Sequence, residues 1–333
     1  MINWIEKIEP NFFKELKNTS HNYKDHTNPW HLEADGNVYG HTLMVYNEAI
    51  KQYPDDDILQ LGALLHDIGK PICKEDIPEK NRSSFFSHEN IGVFLAVDIL
   101  KKLDLNENDV IRVLQIIQRH ADSYKLSLKN LKKLYSNKTI QDTFKIRLCD
   151  TLGRISENGN EEDLKNLEDT KKVDFGSFEK PEQKNNTITL LIGPPASGKS
   201  TYLKNYNGII ISRDECLMSL SDKVDYSDAW KCSDQKEVDK LFEKRLRNVI
   251  LARKDFIVDM TNINVKSRRK FIERLKNKYN IEAKVFLNSL DTLLTRNSLR
   301  TNKTLNNSII IGMCKRFQMP YEGEGFSDIE YII

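Results

Sequence analysis

Apolar positions recur at three- and four-residue intervals through Thr42–Tyr53, Ile58–His66, Ile91–Leu103, Asp109–His120 and Thr139–Ile155. That spacing predicts one helix after another. No convincing strand interrupts them, so the first 155 residues read as a helical bundle. The pattern then lapses. Ser156–Asn186 holds acids, lysine, asparagine and glycine with few large apolar residues, and Asn158-Gly159 and Pro181 punctuate it. It reads as a connector, partly helical around Glu161–Leu167. From Thr187 short apolar runs take over: Thr187–Ile192, Gly208–Ile211, Phe256–Val258 and Ala283–Leu287. Helical stretches such as Thr201–Tyr206 separate them, and Ser308–Phe317 reads as a further helix beyond the last run. Such alternation predicts βαβ units and a parallel sheet covered by helices. The expected organisation is a helical domain over 1–158, a linker over 159–186 and an α/β domain over 187–333.

Size and composition agree with two domains. The chain has 333 residues, enough for two separate cores. No apolar run approaches the roughly 20 residues of a membrane span, and the acid-bearing N-terminal segment does not read as a signal peptide. The cysteines (73, 149, 216, 232 and 314) are scattered, odd in number and without a CxxC pair. They predict reduced thiols and a cytoplasmic protein. The net charge of +2 conceals an asymmetry: residues 1–185 carry −5 and residues 186–333 carry +7. A basic half suits a polyanionic substrate, although solvated helix faces such as Lys236–Lys254 account for such an excess equally well.

The second half contains Gly193-Pro-Pro-Ala196-Ser197-Gly198-Lys199-Ser200, followed by Thr201. It matches GxxxxGK[ST], follows a predicted strand and opens a predicted helix. Gly193 and Gly198 let the backbone curl so that amides face phosphate oxygens, with the helix N-terminus adding positive potential. Gly193, Ala196, Ser197, Gly198, Lys199, Ser200 and Thr201 are therefore the expected nucleotide-binding residues. Lys199 should reach the β- and γ-phosphates of ATP or another nucleoside triphosphate, and Ser200 should ligate Mg²⁺. The second strand runs into Ser212-Arg213-Asp214-Glu215, where a carboxylate can take a proton from an attacking hydroxyl. The third ends in Val258-Asp259-Met260-Thr261-Asn262, and strand C-termini are where ligands collect in such sheets. Arg296 and Arg300 are spaced i,i+4, which predicts one shared helix face and two guanidiniums over the transferring phosphate.

All seven histidines fall between His21 and His120. The run Leu64-Leu65-His66-Asp67-Ile68-Gly69-Lys70 sits at the end of an apolar helix, and His41, His88, His120 and Asp150 surround it in sequence. At a helix end, adjacent His66 and Asp67 can both lean toward one centre. Imidazoles with carboxylates suit one or two first-row divalent ions, with Mn²⁺, Ni²⁺, Co²⁺, Cu²⁺ and Zn²⁺ all compatible. Such ions orient and activate water against a phosphoryl group, and Lys70 stands one turn on, placed to meet phosphate. His21 and His26 read as structural or surface histidines, while His31 and Glu33 are ambiguous. Asp55-Asp56-Asp57 lacks the strand and threonine of an acyl-phosphatase motif, so any phosphatase chemistry rests on the histidine cluster.

Two resemblances follow from these residues. The segments GPPASGKST, SRDE, DMTN, RNSLR and IIGMCKRFQMP, over about 187–320, resemble the polynucleotide 5′-kinase family. That resemblance implies Asp214 as general base toward a 5′-hydroxyl, Arg296 and Arg300 as lid arginines, and Lys199 and Ser200 on ATP·Mg²⁺. The chain departs at Leu217, where phage and bacterial members carry a substrate-gripping arginine; Arg213 or another basic residue would have to substitute. Over about 25–155 the order H…HD…H…H…D resembles the HD phosphohydrolase superfamily. The stretch from Asn28 to Val45 is most similar to HD domains attached to bacterial tRNA nucleotidyltransferases. This resemblance implies that His41, His66, Asp67 and Asp150 ligate one metal, and that His88 and His120 complete a second with Asp67 bridging.

Together they imply a bifunctional enzyme that heals RNA or DNA ends. It would remove a 2′,3′-cyclic or 3′-phosphate at the metal site and phosphorylate the 5′-hydroxyl from ATP. A separate ligase would be its functional partner, and no membrane would be involved. Alternatives are an HD nucleotidase joined to a small-molecule or nucleoside kinase, a toxin-like or regulatory ATP-binding kinase whose HD half hydrolyses a signalling nucleotide, and a binding module whose HD half has lost catalysis.

Overall fold

The structure, a computed structural model, describes residues 2–32, 36–157, 159–170, 181–301 and 303–333. Glu33, Asn158, Asn302 and the connector stretch 171–180 lie outside the described residues. The chain divides into two compact units, Met1–Phe178 and Glu179–Ile333.

The first unit is helical. Its principal elements are α1 (Val38–Gln52), α2 (Asp57–Leu65), α3 (His88–Lys101), α4 (Glu107–Arg119), α5 (Asp122–Lys125), α6 (Asn137–Leu152) and α7 (Glu161–Thr170). Helix starts follow side-chain capping: Asn37 accepts from the amides of Tyr39 and Gly40, and Asp56 from that of Leu59. Val45, Ala49, Leu59, Ala63, Ile116, Ile146 and Cys149 form one apolar cluster between α1, α2, α4 and α6. Arg112 clamps three of these helices, donating to both carboxylate oxygens of Asp56 and both of Asp142. Asp56 thus has a structural post, as helix cap and ion-pair partner. The helical expectation needs one addition. A two-stranded antiparallel ribbon, β1 (Glu75–Ile77) and β2 (Arg82–Ser84), lies between α2 and α3. Three-residue strands around Pro78 and a left-handed Asn81 are too short to leave a period-two signature.

The second unit is a five-stranded, wholly parallel sheet in the order β4-β5-β3-β6-β7, with strands Thr187–Ile192 (β3), Ile209–Ser212 (β4), Phe256–Asp259 (β5), Asn280–Phe286 (β6) and Asp328–Ile332 (β7). Its helices include α8 (Lys199–Leu203), α9 (Arg213–Ser219), α10 (Tyr226–Cys232), α11 (Gln235–Leu251), α12 (Val265–Leu275), α13 (Leu290–Ser298) and α14 (Asn307–Lys315). Strand β3 sits in the centre with fully buried Ile188, Leu190, Leu191 and Ile192, as expected of a parallel strand covered on both faces. The edge strand β7 escaped the sequence reading because Asp328 and Glu330 break its apolar run.

Candidate functional sites in the two halves

In the helical unit every functional side chain comes from a helix end or the turn beside one. His41 lies in the first turns of α1, His66 and Asp67 just past the end of α2, and His88 is the first residue of α3. His120 caps α4, and Asp150 stands near the end of α6. Gly69 lets the His-Asp turn approach α3: a Cβ there would lie 2.1 Å from the His88 carbonyl oxygen.

These residues converge. His41 Nε2 is 3.0 Å from Asp150 Oδ1 and 3.7 Å from Asp67 Oδ2. His66 Nε2 is 3.2 Å from Asp67 Oδ2, and His88 Nε2 is 3.2 Å from Asp67 Oδ1. Donor atoms thereby fall into two groups that could each hold an ion, His41/His66/Asp150 and Asp67/His88/His120. Asp67 turns one oxygen toward each group, the posture a bridging carboxylate needs.

The protonation pattern tests whether divalent ions fit. His66 Nδ1 donates to the Ala63 carbonyl at 2.7 Å, His88 Nδ1 to Phe85 at 2.8 Å and His120 Nδ1 to Ile117 at 2.8 Å. A neutral ring with its proton on Nδ1 presents a lone pair at Nε2. The Nε2 atoms of His88 and His120 nonetheless stand 3.1 Å apart. His66 Nε2 is buried without a hydrogen bond. Lone pairs turned on each other and on carboxylates require a cation among them, and backbone-pinned imidazoles are how metal sites hold their ligands. A proton is a poor candidate, because burial and the neighbouring His88 and His66 push His120 down to about 3. Burial would raise Asp67 and Asp150, but it is outweighed by the neighbouring His66 and Lys70 for Asp67 and by the neighbouring His41 for Asp150. Both carboxyls stay well below their ordinary range. The residues fit metal ions.

Around this centre the structure adds contacts that the sequence did not mark. Lys70 is buried, its Nζ 2.6 Å from Asp67 Oδ2 and 2.8 Å from His21 Nε2. Its ammonium therefore braces the Asp67 carboxylate as well as lying near the centre. His21, read from the sequence as a structural or surface histidine, is 1% exposed, stacks on His31 at 3.8 Å and bonds Lys70. His26 is exposed and stacks beside Tyr23. Tyr124 carried no sequence signal, yet its hydroxyl donates to Asp150 Oδ2 at 3.0 Å, leaving Oδ1 toward His41.

In the α/β unit the loop after β3 holds three positive-φ residues, Gly193 (155°), Ala196 (66°) and Gly198 (106°). A Cβ at Gly193 would meet Ser197 Oγ at 2.7 Å and the Phe286 carbonyl oxygen at 2.9 Å, so only glycine fits. Lys199 is buried, donating to the Gly193 and Pro194 carbonyls at 2.7 and 2.8 Å, and burial lowers its pKa to about 8. Ser200 and Thr201 are exposed at the start of α8. The loop is anchored from β5: Gly193 N donates to Thr261 O, and Asn262 Nδ2 to Leu191 O. Fully buried Arg268 supports that anchor, donating to Asn262 O and to both oxygens of Glu324. Asp259 ends β5 beside Ser212, whose hydroxyl donates to it at 3.2 Å, and burial raises its pKa.

Asp214 opens α9 and is held on both oxygens. Tyr226 donates its hydroxyl to Oδ1 at 2.8 Å, and the Lys303 ammonium pairs with Oδ2. Neither partner was anticipated. The arginines separate in placement. Arg296 lies in the last turn of α13, its Nη1 3.9 Å from where a Gly198 Cβ would be. Arg300 lies beyond that helix, so the expected shared face does not exist; α13 stops at Ser298 because the chain turns there. Arg300 still faces this region, and burial lowers its pKa against the pull of Asp214. Leu217 is wholly buried in the core. Arg213 is committed to Asp239 and Gln235.

Fold and sites define a protein with a candidate metal centre in a helical unit and a P-loop in an α/β unit. Two family models match the chain, the HD domain over residues 38–155 and the AAA domain over residues 188–320. Among characterised proteins, the chain is 33% identical over 84 residues to the A-adding tRNA nucleotidyltransferase of Deinococcus radiodurans. It is 30% identical over 106 residues to the CC-adding tRNA nucleotidyltransferase of Thermus thermophilus. These matches cover 25% and 32% of this chain and only 19% and 24% of those enzymes. Among solved structures, a Pnkp1/Rnl/Hen1 complex matches with a TM-score of 0.29 and 21% identity over 38% of this chain and 43% of that one. A gluconokinase from Sinorhizobium meliloti 1021 matches with a TM-score of 0.32 and 14% identity over 45% and 83%. Among the described residues no helix is long and apolar enough to cross a membrane.

Proposed function

We propose that the chain is a bifunctional enzyme that heals nucleic-acid ends. The AAA half phosphorylates a 5′-hydroxyl from ATP, and the HD half removes a 3′-phosphate or 2′,3′-cyclic phosphate. The observation that carries this reading is the pairing, within one chain, of the Asp67-centred donor cluster with a P-loop whose buried Lys199 interacts electrostatically with Asp214. The first suits phosphate removal and the second phosphate addition.

In the kinase half, Asp214 accepts the proton of the acceptor hydroxyl as its oxygen attacks the γ-phosphorus of ATP, and ADP leaves. Lys199, Arg296 and Arg300 meet the charge that develops on the transferred group, and the loop amides from Gly193 to Thr201 hold the phosphates. Mg²⁺ would be held through Ser200. For Asp214 to act, Lys303 must yield its place to the hydroxyl.

In the HD half, His41, His66 and Asp150 would hold one divalent ion, and His88 and His120 a second, with Asp67 shared. Ions bound there supply Lewis acidity that lowers the pKa of water and neutralises phosphoryl oxygens. Lys70 fixes Asp67 and offers positive charge to the phosphate, and Tyr124 fixes which oxygen Asp150 presents.

A second reading has one observation in its favour. The buried Leu217 stands where polynucleotide kinases place an arginine, which suits a small-molecule or nucleoside kinase joined to an HD nucleotidase. The two separate on a kinase assay with 5′-hydroxyl oligonucleotides against free nucleosides and sugars. Preference for oligonucleotides supports end healing, and preference for small acceptors supports the alternative.

A further inference from the structure

With Leu217 buried and Arg213 engaged, something else must hold the acceptor beside Asp214. Helix α10 offers it. Tyr226 bonds Asp214 through its hydroxyl, so its ring stands directly beside that carboxylate. One turn on, Trp230 lies at 6.2 Å between ring centroids, tilted by 31°. Trp230 is 45% exposed although it is among the largest apolar side chains. Each ring carries a cation: Lys303 Nζ lies 3.9 Å from the Tyr226 centroid and the Arg213 guanidinium 5.1 Å from that of Trp230. The surface is thus two neighbouring aromatic rings, flanked by positive charge, continuous with the carboxylate expected to take the proton.

We propose that Trp230 and Tyr226 form a stacking platform for the terminal nucleobase of a single-stranded 5′-hydroxyl polynucleotide, with Arg213 and Lys303 facing its phosphates. This inference rests on the kinase reading above. Aromatic rings with basic neighbours are how proteins hold single strands without reading sequence, since every base has a π-face. A base resting on these rings belongs to the same nucleoside as the 5′ oxygen, so stacking carries that oxygen toward Asp214. A sugar or other small acceptor without a ring system gains nothing from the platform. Arg213 supplies, through Trp230, positive charge on this side of the site even though its hydrogen bonds are spent on α11. The excess of +7 over residues 186–333 fits a polyanionic strand.

The test uses the full chain, ATP·Mg²⁺ and two synthetic single strands with 5′-hydroxyl ends, one normal and one abasic at its 5′-terminal nucleotide. For Trp230→Ala, KM for the normal strand should rise about tenfold, the scale of one lost base stack, while KM for ATP holds. On the abasic strand the wild type should already show the raised KM, and Trp230→Ala should add little. Trp230→Phe should restore most of the loss. Tyr226→Phe should keep stacking and lower kcat instead, since only the bond to Asp214 is lost. Equal KM for both strands in the wild type, or an equal loss for both in Trp230→Ala, overturns the platform and leaves the kinase reading standing. Failure of the wild type to phosphorylate either strand while it phosphorylates small hydroxyl compounds overturns both.

Discussion

The Nε2 atoms of His88 and His120 face each other at 3.1 Å while each ring spends its Nδ1 proton on a backbone carbonyl. Two such acceptors repel unless a cation lies between or beside them. Bound metal should therefore stabilise the HD half. A ligand present at a hundred times its Kd adds about 2.7 kcal/mol. We expect chelator-treated protein to unfold at lower temperature, with Mn²⁺, Ni²⁺, Co²⁺, Cu²⁺ or Zn²⁺ restoring it. His120→Ala should bind less metal by elemental analysis and respond less to its return. A melting temperature indifferent to chelator and metal would count against the site.

Separate sites should fail separately. Lys199→Ala should lower phosphoryl transfer by at least about a hundredfold, the scale of losing one preorganised charge at a transition state, and leave hydrolysis intact. Asp67→Ala should do the reverse, because both donor groups lose their shared carboxylate. Rates of both reactions on each variant decide this, and joint loss in either variant would contradict two independent centres.

Burial lowers Lys199 to about 8 from an ordinary 10.5. Between those values the unfolded chain holds more protons than the folded one, so this lysine's contribution to stability rises with pH across that window. Nucleotide binding runs the other way. Phosphates favour the ammonium, so above pH 8 ATP binding must take up a proton. Its affinity should weaken by up to about tenfold per pH unit, a dependence absent from Lys199→Ala. Calorimetry in buffers of different ionisation enthalpy reads the proton directly.

Arg268 pairs with Glu324 in the core and holds Asn262 against the P-loop strand. Removing one partner leaves the other charge buried and alone. Arg268→Ala should cost about 3–5 kcal/mol in urea denaturation, with weakened ATP binding in whatever remains folded. Arg268→Lys should recover only part of this, since an ammonium cannot make the paired bonds to Glu324.

Much of this was legible in the chain. Helical spacing located α1 through α4 and α6, and four of the five parallel strands stood out as apolar runs. The donor cluster was legible because His66-Asp67 at a helix end and four scattered partners are unusual residue types in unusual places. What escaped depends on tertiary approach. Tyr124 reaches Asp150 across 26 positions and Lys303 reaches Asp214 across 89, and nothing local marks either contact. His21 looked incidental because only the folded chain brings it to Lys70. Arg300 was misplaced on a helix because i,i+4 spacing was read through a turn that ends α13 at Ser298.

The most direct test presents both halves with one substrate: a short RNA with a 5′-hydroxyl and a 2′,3′-cyclic phosphate, incubated with ATP, Mg²⁺ and a panel of transition metals. Mass analysis of each end reads both reactions. We expect a phosphate gained at the 5′ end and phosphate lost at the 3′ end, the second only with metal. An RNA unchanged at both ends, under conditions where ATP is consumed on small hydroxyl compounds, would contradict end healing.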